Sequence, residues 1–185
     1  MRAFIAIEIP QAVKEGLAGV QVRLENAGAD ASWPRPEGVH LTLKFLGEVG
    51  EGRVTEIMQA LALALIDTKL FRLGVAGVGT FPNPTSARVV WLGVTGDVET
   101  LVALQAAVEQ AMVGLGMDPD SRPYTPHLTL GRIRKIRDRA AWLAGLASVK
   151  DSSLPGFEVA SVSLIESRLR PSGAVYREIG RVALK

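Results

Sequence analysis

His40-Leu41-Thr42-Leu43 and His127-Leu128-Thr129-Leu130 are the same four residues, met twice and nearly half the chain apart. They contain both histidines of a 185-residue protein. In an extended strand successive side chains alternate between faces. Each motif therefore sets His and Thr on one face and two Leu on the other. The Leu faces suit a core, and the His/Thr faces suit a cleft. Imidazole titrates near neutrality, so two such strands supply an acid, a base and two hydroxyl donors. That set suits phosphoryl or acyl chemistry without a metal or cofactor.

Strict alternation carries each motif further. It puts Lys44 on the cleft face with His40 and Thr42, and Phe45 with the Leu residues. In the second motif it puts Gly131 on the cleft face, where a missing side chain leaves room for substrate. It assigns Arg132 to the Leu face, unless a bulge near Gly131 shifts the register.

Outward from the motifs, Arg2 to Ile9 alternates as a strand that sets Ile5, Ile7 and Ile9 against Phe4 and Ala6. Pro10 suits a helix start, and Val13, Leu17, Val20 and Leu24 form an amphipathic stripe. Gly28 to Gly38 reads as a loop. Arg53 to Leu65 is a second helix, Leu70 to Val78 a strand, and Phe81 to Thr85 a turn-rich loop. Val89 to Val94 is a nearly all-apolar strand, expected to be buried on both faces. Asp97 is positioned to cap a third helix with the stripe Val98, Leu101, Leu104, Val108, Met112 and Leu115. Arg139 to Ala147 is helical. Phe157 to Leu169 and Val175 to Ile179 form a hairpin about the turn Arg170-Pro171-Ser172-Gly173. The order β-α-β-α-β-β-α-β-α-β-β, with a motif strand in each half, predicts an α+β protein. We expect one bilobal, pseudo-twofold domain spanning 1–185, with two mainly antiparallel sheets flanked by helices around a central groove.

Composition narrows the chemistry. The chain has no cysteine, which excludes disulfides, thiolate nucleophiles and thiolate-ligated zinc. Two histidines without an HExxH motif give a transition metal little support. A net charge of +2 permits a polyanionic partner without demanding one. The apolar run in Met1 to Pro10 reads as a strand rather than a signal peptide. The run from Ile57 to Ile66 is too short to cross a membrane. The expectation is a cytoplasmic monomer with no cofactor, metal or membrane.

With the motifs, the blocks 2–7 (RAFIAI), 40–50 (HLTLKFLGEVG), 88–94 (RVVWLGV), 126–132 (PHLTLGR) and 166–179 (ESRLRPSGAVYREI) resemble the 2H phosphoesterase superfamily. Within it they are most similar to the RNA 2′,3′-cyclic phosphodiesterases, also called 2′-5′ RNA ligases, of the LigT/ThpR type. The resemblance implies metal-independent hydrolysis of RNA or nucleoside 2′,3′-cyclic phosphates to a 2′-phosphate, with reversible 2′-5′ ligation of RNA ends. It implies His40 and His127 as acid and base, and Thr42 and Thr129 as phosphate donors. Sequence alone leaves the two histidine roles open; the resemblance implies that His127 activates water and His40 protonates the leaving oxygen. Arg132 matches a family arginine and is a candidate for base or phosphate, and Phe4 for base stacking. Lys44, Arg168 and Arg170 are candidate phosphate or backbone contacts, and Trp33 and Tyr124 candidate groove-rim residues. Alternatives with the same four residues are a 2′-5′ oligonucleotide or small cyclic-nucleotide phosphodiesterase, and a non-catalytic nucleotide- or RNA-binding module.

Overall fold

The computed structural model describes residues 1–171 and 173–185, so Ser172 of the expected turn lies outside the described residues. Strands β1 (Arg2–Glu8), β3 (His40–Glu48), β8 (Ser161–Arg170) and β9 (Gly173–Ala183) form a sheet ordered β3-β1-β8-β9. Strands β2 (Ala29–Ser32), β4 (Phe71–Phe81), β5 (Val89–Gly96), β6 (His127–Ile136) and β7 (Ser153–Val159) form a second, ordered β2-β6-β5-β4-β7. All pairings are antiparallel.

The runs β3-β1-β8-β9 and β6-β5-β4-β7 correspond strand for strand, each beginning with a motif strand. The helices cross between them. Helix α1 (Gln11–Glu25) follows β1 but packs on β6, β7 and α4 (Arg139–Val149). Helix α3 (Val98–Gly114) follows β5 but packs on β3 and α2 (Val54–Ala64). One buried apolar cluster runs through both layers and takes in Leu41, Leu43, Leu128 and Leu130, so burial holds the Leu face of each motif inward.

Four expectations change. Ala29–Ser32, expected in a loop, is a short edge strand on β6; its hydrogen-bonding partner, not a hydrophobic pattern, makes it a strand. The expected strand 157–169 breaks at Ala160 into β7 and β8, which belong to different sheets. β5 is not buried on both faces: Val90 and Leu92 are buried, whereas Val89, Trp91 and Gly93 on the other face are only partly so. Double burial falls instead to β1, flanked by β3 and β8, where Ile5 and Ile7 face the main core and Phe4 and Ala6 pack with Ile165. The Asp97 side chain does not cap α3; its carboxylate accepts the Arg72 backbone N–H at 2.8 Å.

Candidate active site

The two motif strands are held in the same register. His40, Leu41 and Thr42 lie opposite Glu8, Ile7 and Ala6 of β1. His127, Leu128 and Thr129 lie opposite Gly93, Leu92 and Trp91 of β5. The next paired residues are Lys44 with Ile5 and Gly131 with Val90. Leu43 and Leu130 are therefore bulge residues, each at the fourth position of its motif. A bulge turns the following side chains to the opposite face.

That reversal corrects the strict alternation. Lys44 is not a groove residue: it is 1% exposed, with Nζ 2.6 Å from Glu109 Oε2, 3.0 Å from the Asp118 carbonyl and 3.6 Å from Asp120 Oδ1. Burial pushes the Glu109 carboxyl up, but the Lys44 ammonium and the Asp120 N–H outweigh it and hold the group below its ordinary value. Gly131 makes room for protein rather than substrate: a Cβ there would lie 2.6 Å from the Trp33 ring. Trp33 accordingly lines a concavity with Asp30 and Arg137 that contains neither histidine. Arg132 falls on the exposed face with His127 and Thr129, the condition under which it was a candidate. Phe45, assigned to the Leu face, is 63% exposed beside Phe4.

The bulges free two carbonyls from the ladders, and each finds a buried glutamine. Gln105 Nε2 of α3 donates to the Leu43 carbonyl at 3.3 Å. Gln21 Nε2 of α1 donates to the Leu130 carbonyl at 2.8 Å and to the Pro34 carbonyl at 2.9 Å. Sequence reading missed both residues. Their signal was a polar side chain directly after a stripe residue, Val20 in α1 and Leu104 in α3.

β3 and β6 meet at the seam between the sheets. There the Tyr124 hydroxyl donates to the Thr42 carbonyl at 3.2 Å, and burial pushes its phenol further up, so it stays a neutral donor. Thr42 and Thr129 are half-buried on the faces of their histidines. His127 Nδ1 lies 2.8 Å from the Thr125 carbonyl. A carbonyl only accepts, so Nδ1 carries hydrogen and the neutral ring keeps its lone pair on Nε2. Phe81 and Trp91 flank this ring at 5.2 and 6.3 Å between centroids.

His40 stands in a different environment. Its Nε2 lies 3.2 Å from Glu8 Oε1, and its side chain is 6% exposed. Phe4 and Tyr176 pack edge-on against the ring at 5.6 and 5.2 Å. Phe4, expected to stack a base, is 5% exposed and forms a wall behind His40. The hydrogen bond from His40 holds the Glu8 carboxyl below its ordinary value, helped by the positive charge of Lys14 and Arg181. At the hairpin, Arg168 is drawn to Glu166 Oε1 at 2.9 Å, and Arg170 is exposed.

The family model of LigT-like phosphoesterases matches this chain twice, over residues 7–91 and 92–176. The matches begin at Ile7 and Leu92, which pair with the equivalent motif residues Leu41 and Leu128. The RNA 2′,3′-cyclic phosphodiesterase of Methanothermobacter thermautotrophicus is 35% identical over 179 residues, covering 97% of this chain and 96% of that protein. The enzyme of the same name from Thermotoga maritima is 32% identical over 179 residues, covering 96% and 92%. Among solved structures, TT0787 of Thermus thermophilus superposes with a TM-score of 0.77 at 25% identity, covering 100% and 98%. E. coli LigT complexed with 3′-AMP gives 0.79 at 24% identity, covering 99% and 97%.

Proposed function

This chain belongs to the LigT-like phosphoesterase family, and we propose that it hydrolyses RNA or nucleoside 2′,3′-cyclic phosphates to 2′-phosphates by two-histidine acid–base catalysis. The relatives with near-complete coverage carry the name of that substrate class. The observation that carries the mechanism is the pair of motif strands in one register, each offering a histidine and a threonine on one face.

A cyclic phosphodiester needs a deprotonated water, a protonated leaving oxygen, and donors for the non-bridging oxygens. His127, with Nδ1 hydrogen-bonded to Thr125 and Nε2 free to accept, is the base that activates water. His40, in its protonated form beside the Glu8 carboxylate, is the acid that protonates the ribose 3′-oxygen as its bond to phosphorus breaks. Thr42 and Thr129 hydroxyls donate to the non-bridging oxygens. Arg132, on the same exposed face, adds positive charge toward the phosphate or base. No side chain acts as nucleophile, so no covalent intermediate forms. With an RNA 5′-hydroxyl in place of water the same groups keep their roles: His127 deprotonates the 5′-hydroxyl, His40 protonates the departing 3′-oxygen, and the ends are joined by a 2′-5′ bond. Only the back reaction, attack of the 3′-hydroxyl on that bond, exchanges them. Both histidines come from one chain, so a monomer suffices for the site.

The test is turnover of 2′,3′-cyclic AMP and a cyclic-phosphate-ended oligonucleotide, with and without EDTA, with 31P spectra resolving the products. We expect an EDTA-insensitive 2′-phosphate. A 3′-phosphate product, loss of rate in EDTA, or no turnover of either substrate would overturn the proposal.

A further inference from the structure

The pseudo-twofold gives the two histidines identical motif residues and the same bulge, yet the reaction requires them to do opposite things. The difference must come from what surrounds them, and the ladder identifies one such position. Across from His40 stands Glu8, and across from His127 stands Gly93. We propose that Glu8 is the positioning residue that gives His40 the acid role, and that the Glu8/Gly93 difference breaks the symmetry of the site.

Geometry supports the assignment on both sides. Glu8 Oε1 reaches His40 Nε2 at 3.2 Å, and the His40 ring, walled by Phe4 and Tyr176, is the buried member of the pair, while the Glu8 side chain is 36% exposed. A carboxylate so placed favours the imidazolium and orients the ring. Glu8 keeps the second proton on His40 until a leaving oxygen takes it. At Gly93 no such group can be built, because a Cβ there would lie 2.6 Å from the Ala76 carbonyl. His127 instead meets a backbone carbonyl, which fixes its tautomer without adding a formal charge.

The other charged groups around the pair act on the carboxylate. Lys14 of α1 lies 3.8 Å from Glu8 Oε2, and Arg181 of β9 adds positive charge. Both keep Glu8 ionised, and neither substitutes for it, since both are cations. Within the hydrogen-bonded ladders, the carboxylate that meets either histidine is Glu8 alone among the described residues.

This inference rests on the proposed reaction for its meaning but has a test that does not need turnover. With only two histidines, 13C-labelled protein gives two imidazole Cε1 signals, assigned with His40→Ala. In Glu8→Gln we expect the pH midpoint of the His40 signal to fall, because the carboxylate that pairs with its charged form is gone, with His127 unmoved. Glu8→Asp, which keeps the charge but withdraws it, shifts the same midpoint by less and gives a second reading should Glu8→Gln fold poorly. On 2′,3′-cyclic AMP, Glu8→Gln lowers kcat about tenfold at neutral pH with little change in KM. It also moves the alkaline limb of the pH profile to lower pH, and Glu8→Asp partly restores the rate. An unchanged His40 midpoint in both variants would overturn the inference. A shifted midpoint in a protein that turns over no cyclic phosphate supports the pairing and overturns the reaction instead.

Discussion

Each half of the site is a histidine two residues from a threonine, and what separates the halves is a neighbour. His127 is set by the Thr125 carbonyl and His40 by the Glu8 carboxylate. Removing either imidazole removes a proton-transfer partner, so His40→Ala and His127→Ala should each lower kcat by at least ~10²-fold; near-normal turnover by either would refute the pair. The four motif residues were legible from sequence because period-2 alternation is rigid over four positions. Lys44, Gly131 and Phe45 were not, because the bulge residue at the fourth position of each motif reverses the side chains that follow it, and Arg132 was readable only on the condition of that bulge. Glu8 was also out of reach, since its meaning depends on which residue β1 sets across from His40.

At the level of elements, the motif strands depend on helices that come from the opposite half of the chain. Gln21 and Gln105 close the carbonyls that the bulges release. Gln21→Leu and Gln105→Leu each leave a buried carbonyl unpaired, which costs about 1–3 kcal/mol. Urea unfolding should show that loss in each variant, whereas a midpoint equal to the parent's would mean the bulges do not need these partners. The apolar stripes of α1 and α3 were readable because Val13, Leu17, Val20 and Leu24, like Leu101, Leu104, Val108 and Met112, recur at helical spacing. β2 and the division between β7 and β8 were not. ADAS carries no hydrophobic period, and it is a strand only because β6 offers it hydrogen bonds. Residues 157–169 read as one apolar run, although the chain changes sheets at Ala160.

For the whole molecule, the proposal of one domain follows from a buried cluster that takes in both motif strands. Thermal unfolding should be one cooperative transition, with calorimetric and van't Hoff enthalpies equal; two transitions would mean independent lobes. Acid should weaken the fold in a definite direction. Glu8, Asp30, Glu109 and Glu166 are all held below their ordinary values of 4.5 for Glu and 3.8 for Asp. As pH falls the unfolded chain binds protons first, so the stability these groups give above those values is lost as pH drops through their folded values. A Tm that is level near neutrality and declines below about pH 4.5 is expected, and a Tm that rises there would contradict these pairings.

The central claim is that two symmetry-related histidines carry opposite protonation states in the reacting enzyme. The dependence of kcat/KM on pH for a 2′,3′-cyclic nucleotide tests it most directly. One protonated and one neutral imidazole give a bell, with the acid limb lost in His127→Ala and the alkaline limb lost in His40→Ala. A profile that stays flat from about pH 5 to 9 with chemistry rate-limiting, or a single limb in the parent enzyme, would contradict it.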